Sequence, residues 1–292
     1  MNDILGTPEY HNEESKKEFQ SAKDKPGIHI YNPKTPVELH LPGGIQKFND
    51  VFMESTFRKD MKTVVYEWWW SKKMDFPLFE VTSEQYTENK LQYYIEDYNT
   101  KSKDVDNGDF YYVLGQETRT KFYYHVKDRY LVVRINGRYS LLEPLERYAD
   151  ASPYDRFFIK GDLDIKSIRI PYEDPLPVPL SLPLTSAGIL KGDLYEIKGK
   201  NPRNAEEFRL VFGDQSLQVP LGAEHEEFAL EVKGEEDGLC TAKLNGVELP
   251  GVISKGPFLA DRMVLEGDVD FHWVIITKPG GPEAAIEDNK EK

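Results

Sequence analysis

The run "TVVYEWWWSKK", Thr63 to Lys73, sets three of the chain's four tryptophans beside a carboxylate, Glu67. A tryptophan next to an acid suits non-covalent recognition. The indole is a large rigid plate and the acid a polar handle, a pairing that can stack on a sugar ring or anchor another protein. The same run reads as a strand, in which Val64, Tyr66, Trp68 and Trp70 line one face and Val65, Glu67 and Trp69 the other. The first set is uninterrupted apolar surface and is expected in a core, which leaves Trp69 with Glu67 as the outward pair. Downstream, "ENKLQYYIEDYNTKSKD" adds Tyr93, Tyr94 and Tyr98, residues of a type enriched in interfaces. The candidate ligand- or partner-binding set is therefore Glu67, Trp69, Tyr93, Tyr94 and Tyr98.

Covalent chemistry finds no comparable set. There is no nucleophile placed next to a base, no glycine-rich phosphate cradle, and no histidine or cysteine at metal-ligand spacing. His40, His125, His225 and His272 stand singly. Asp162-x-Asp164 and Asp268-x-Asp270 are repeated acids, but each lacks the run of oxygen ligands that a calcium loop requires and reads as part of a turn. The expectation is a protein that is not an enzyme and uses no cofactor or metal.

Composition narrows the partners. Against 37 basic residues stand 51 acidic ones, a formal net charge of -14, and "SKKEF" and "SKKMD" are the nearest approach to a basic stripe. Such a surface repels nucleic acid phosphates, so no direct nucleic acid binding is expected. No apolar run reaches the length of a membrane span, and Cys240, the single cysteine, cannot form an intramolecular bridge. The opening "MNDILGTPEYHNEESKKEFQ" is polar and acidic where a secretory signal peptide needs a basic start and an apolar centre. Together these point to the cytoplasm or nucleus.

The elements that must position these residues are strands. Residues 1–27 have little periodic apolar content and read as a flexible tail or a loosely held helix. From "IHIYNPKTPVELHLPGGI" onward, short β-branched and aromatic runs alternate with Gly, Asp, Asn and Pro, an all-β pattern. Two passages then recur. Asn136-Gly137 aligns with Asn245-Gly246 at an offset of 109 residues, and Gly161-Asp162 with Gly267-Asp268 at an offset of 106. A nearly constant offset marks an internal repeat. The domains are expected at 28–172 and 175–278, joined by the proline-rich "PYEDPLPVPLSLPL" and packed in tandem, with a charged tail at 279–292.

The repeated unit resembles a galectin, a two-sheet β-sandwich. The resemblance rests on "LPGGI", "FYYVLGQETRTKFYYHVKDRYLVVRINGRY" and "GDLDIKSI" in the first copy. In the second it rests on "LKGDLYEIKGKNPRNAEEFRLVFG", "FALEV", "LNGVELPG" and "LEGDVDFHWV". It implies tandem galectin-like sandwiches. The family's sugar-binding signature, a His-x-Asn-Pro-Arg run, a following Asn and a Trp-Gly-x-Glu-x-Arg passage, is nowhere intact. "NPR" at Asn201 to Arg203 lacks the histidine and falls in a loop. Seventy-one residues separate Gly44 from Gly115, but thirty-four separate Gly188 from Gly222. The shorter interval lacks room for two strands and their turns. That second copy is expected to end in a shortened sheet edge needing cover. The function expected is protein–protein interaction on a degenerate galectin-like scaffold, as a subunit or adaptor of an intracellular complex. The alternative is a lectin recognising a β-galactoside-like or other glycan through a divergent site on the first domain.

Overall fold

The structure, a computed structural model, describes residues 8–40, 50–69, 79–87, 90–97, 102–106, 117–125, 130–144, 156–172, 174–183, 189–213, 215–236, 239–249 and 262–279. Apart from one helix, α1 (Pro8–Lys23), the extended elements are strands, beginning with β1 (Gly27–Tyr31). The chain divides into two compact units, Met1–Lys25 with Lys34–Pro171, and Pro26–Pro33 with Tyr172–Lys292.

Unit 1 holds β2 (Val37–His40), β3 (Asp50–Phe57), β4 (Thr63–Trp69), β5 (Phe79–Thr87), β6 (Lys90–Asp97), β7 (Ser102–Asp106), β8 (Glu117–His125), β9 (Tyr130–Ile135), β10 (Arg138–Pro144), β11 (Arg156–Gly161) and β12 (Leu163–Pro171). One layer is the six-stranded sheet β2-β11-β4-β5-β6-β7; the other runs β10-β9-β8-β3-β12. Alternation builds the core between them. Val64 and Tyr66 on β4 and Phe157 and Ile159 on β11 are buried, as is Phe122 on β8. The ring of Phe122 lies 5.2 Å from that of Tyr66 and 5.1 Å from that of Phe157, so aromatic contacts knit one layer to the other.

Unit 2 holds β1 together with β13 (Leu180–Pro183), β14 (Leu194–Lys200), β15 (Glu207–Phe212), β16 (Gln215–Pro220), β17 (Glu227–Gly234), β18 (Cys240–Leu244), β19 (Val247–Glu248), β20 (Arg262–Glu266) and β21 (Asp270–Thr277). Its layers are β1-β21-β14-β17-β18-β19 and β13-β20-β15-β16. Phe208 on β15 packs 5.0 Å from Phe228 on β17 and 5.3 Å from Phe271 on β21, the same cross-layer arrangement. Each unit is an all-β sandwich.

The recurring turns are equivalent in detail. Asn136 and Gly137 have φ of 49° and 81°, and Asn245 and Gly246 have 51° and 79°. These are the left-handed values that a two-residue hairpin turn demands and that Asn and Gly tolerate. Each asparagine also pairs with the strand beyond its hairpin. The Asn136 N–H donates to the Arg119 carbonyl while its Oδ1 accepts from the Arg119 N–H; Asn245 does the same with Ala229.

Three features differ from the sequence expectation. Residues 8–23 are not a loose tail: Phe19 and Ala22 are buried against Phe52, with the two phenyl rings edge-on at 5.0 Å. Glu18 lies 3.7 Å from Lys121 and 3.6 Å from Arg134. Ser15, Phe19 and Ala22 form a stripe too narrow to stand out as a helical period. Pro26–Pro33 belongs to unit 2 although 28–172 was expected to form one domain, because β1 pairs in parallel with β21, Gly27 opposite Trp273 through Tyr31 opposite Thr277. The short sheet of unit 2 ends, as the spacing implied, without counterparts of β6 and β7 among the described residues, and the edge expected to need cover is lined by exposed residues. Gln215, Ser216, Gln218 and Pro220 on β16 are exposed.

Candidate functional site

The candidate site lies on the outer face of the six-stranded sheet of unit 1. Outward alternation places Val65, Glu67 and Trp69 of β4 opposite Lys160, Phe158 and Arg156 of β11, and Glu38 and His40 of β2 on the far side of β11. Glu67 is the hub. Its Oε2 accepts from the Trp69 indole N–H at 2.8 Å, and the Lys160 ammonium donates to Oε1 at 2.6 Å and Oε2 at 2.8 Å. Glu67 is itself buried, at 6 % exposure, beneath the groups it binds.

Trp69 is half-buried and held in place. Its ring is tilted against Phe158 at 5.6 Å, and the Arg156 guanidinium stands 5.5 Å from the ring centre. Arg156 also reaches Glu38 at 3.7 Å, and Glu38 binds His40 at 2.8 Å. Lys160 lies 5.4 Å from the Phe158 ring. The result is a fixed aromatic plate flanked by two ion-paired cations, its orientation set by the Glu67 carboxylate buried beneath them on the same outer face.

The tyrosines of the expected set separate. Tyr94 shares a register row with Thr82 and Val65, and so has the parity of Glu67 and Trp69; Tyr93 shares its row with Ser83 and Val64, the parity of the core. Tyr93 and Tyr94 thus stand on different register rows of the sheet. Tyr98 and Trp70 lie outside the described residues. Arg156, Phe158 and Lys160 were missed because they join Glu67 and Trp69 only through pairing of strands some ninety residues apart.

Unit 2 shows that the sandwich does not require this cluster. Aligning Gly267 with Gly161 puts Val264 at the position of Phe158, and Val211 and Gly213 at those of Glu67 and Trp69. An Arg209–Glu266 ion pair at 2.9 Å occupies the row that in unit 1 holds Val65 and Lys160.

The other sequence candidates are structural. Asn201 is buried, and its side chain donates to the carbonyls of Ala205 and Gly222 and accepts from the Ala205 N–H, all at 2.9 Å. Asp162 accepts from the backbone of Lys62 and Thr63, which holds its carboxyl below the usual range. Asp164 pairs with Arg58 at 2.9 Å and Asp268 with Arg203 at 3.2 Å. Among the described residues no group of three or more His, Cys, Asp or Glu could hold a metal ion, and no helix is long and apolar enough to cross a membrane.

Cys240 is buried at 1 % exposure, and desolvation pushes its thiol up to about 11. The thiolate is the reactive form, so native protein at pH 8 should react with a disulfide reagent at least about a hundredfold slower than urea-unfolded protein. Equal rates would place this strand outside the core.

No protein-family model matches the chain, and no curated protein matches it. Among solved structures, the galectin LEC-6 of Caenorhabditis elegans is similar at 12 % sequence identity, with a TM-score of 0.38, over 49 % of this chain and 96 % of the galectin.

Proposed function

We propose that the chain is a non-enzymatic binding protein on a galectin-like scaffold that takes a protein partner on the outer face of unit 1's six-stranded sheet, as a subunit or adaptor of an intracellular complex. The observation that carries this reading is the Glu67 cluster: a preorganised plate of Trp69 and Phe158 rimmed by Arg156 and Lys160 in one copy, and Val211, Gly213 and Val264 in the other. Rigid aromatics beside arginine are the side chains that most often carry the energy of protein interfaces.

A glycan reading draws on the same plate. Sugar hydroxyls need free polar groups beside the ring, and both oxygens of Glu67 are already engaged by Trp69 and Lys160. That arrangement favours a protein partner over a sugar. Immobilised full-length chain should retain specific proteins from native lysate, and Trp69→Ala should weaken that retention by about thirtyfold or more, equivalent to at least ~2 kcal/mol, with an unchanged circular dichroism spectrum. Lactose should not elute the retained proteins. Undiminished retention by folded W69A would move the binding surface elsewhere.

A further inference from the structure

The four-stranded sheet of unit 2 ends at β16, in a different unit from the Glu67 face. In unit 1, β5 lies between β4 and β6; β16, at the matching place in unit 2, pairs with β15 alone among the described strands. The phase of its free backbone groups follows from one bond. The Leu221 N–H donates to the Glu206 carbonyl at 2.8 Å. Bonded and non-bonded pairs alternate along an antiparallel ladder. Continuing the β15–β16 register, Phe208 with Val219, Leu210 with Leu217 and Phe212 with Gln215 are the bonded pairs. The N–H and C=O of Ser216 and Gln218 therefore face away from β15. Pro220 falls at an outward position too, where its missing N–H takes nothing from the internal ladder.

The side chains say what fits. The inner row of the sheet runs Leu180, Leu265, Leu210, Leu217; the first three are 0 % exposed, but Leu217 at the edge is half-exposed. The row is unfinished on one side. β16, "QSLQVP", has no charged residue in a chain whose net charge is -14. Edge strands are usually blunted by charges or proline; this one has no charge, and its one proline, Pro220, stands at the end of the strand, beyond the Ser216–Gln218 segment.

The geometry points to β16 as a two-fold strand-addition site for a second copy of this chain, centred on Leu217. Antiparallel pairing about that centre sets Ser216 opposite Gln218 of the second copy, where their outward groups form four backbone hydrogen bonds. Leu217 meets Leu217 of the second copy at a non-bonded position, where Cα atoms approach to about 4.5 Å. The inner leucine row then continues from one molecule into the next, and the two uncharged edges meet without like-charge repulsion. Such an isologous contact closes on itself and stops at a dimer.

Sedimentation of the full chain should show a reversible monomer–dimer equilibrium. Gln218→Pro deletes an N–H that faces only the second copy, so it should abolish the dimer while leaving the circular dichroism spectrum unchanged. As a second route, Leu217→Cys should form a disulfide-linked dimer under mild oxidation about tenfold or more faster than Ser216→Cys, because only the central pair brings identical residues face to face. A chain that stays monomeric at every concentration, a dimer that survives in folded Q218P, or equal cross-linking by the two cysteines would each overturn the assignment. The first result combined with saturable binding of an extended foreign peptide at β16 would assign the edge to another occupant.

Discussion

Lys278→Met should destabilise the protein by ~3–5 kcal/mol in urea titrations, an effect out of proportion to its place just past the last strand. The Lys278 ammonium is buried, 2.6 Å from Asp193 Oδ2 and 3.0 Å from the Tyr195 hydroxyl. Asp193 is 0 % exposed, and besides Lys278 its Oδ2 accepts from the Leu190 N–H at 3.0 Å; its Oδ1 is buried without a hydrogen-bond partner. Removing the lysine leaves a carboxylate with its charge uncompensated in the interior. Desolvation outweighs the Asp193 attraction and lowers the pKa of Lys278. Across the window from that lowered value up to the ordinary ~10.4, the unfolded chain binds more protons than the folded one, so this group's contribution to stability rises with pH there. A buried ion pair is in general a weak net stabiliser, and the damage comes from breaking it. The double variant Asp193→Asn with Lys278→Met should cost less than the sum of the single changes by ~1–3 kcal/mol. A K278M variant within about 0.5 kcal/mol of wild type would contradict the buried pairing.

Gly161→Ala should cost ~3–5 kcal/mol, whereas Gly246→Ala should cost ~1–2 kcal/mol. Both glycines have positive φ, +106° at Gly161 and +79° at Gly246, so a left-handed penalty is common to both. Space separates them. A Cβ on Gly161 would run into the Thr63 carbonyl oxygen and come within 2.9 Å of the Val64 Cα, both backbone atoms of the neighbouring strand; a Cβ on Gly246 meets nothing within 4 Å. Thermal melts of the two variants compare the terms directly. Equal losses would mean that the close approach of β11 to β4 is not what Gly161 provides.

The features legible in the sequence are those carried by local chemistry. Asn136-Gly137 and Asn245-Gly246 announced their turns because few residue pairs accept two positive φ values. Period-two alternation separated buried Val64 and Tyr66 from Trp69, and the shorter interval of the second copy implied a sheet that ends at β16, as it does among the described residues. What stayed hidden was non-local. Nothing near Glu67 indicates that Lys160 will neutralise it, and nothing in "GIHIY" indicates that its partners are residues 273–277. Glu67 was read as an exposed handle and is buried because the strand that covers it comes from ninety-three positions away.

The chain has four tryptophans, so its indole N–H region in a nitrogen–proton correlation spectrum is simple, and Trp69→Phe identifies the signal that its bond to Glu67 sets apart. Titrating wild-type protein with a purified retained partner should shift and broaden that signal saturably, while lactose at millimolar concentration should leave it in place. A saturable response to lactose would contradict the protein-partner reading and make the Glu67 face a sugar site. A partner that binds without moving the signal would remove the face from the interaction altogether.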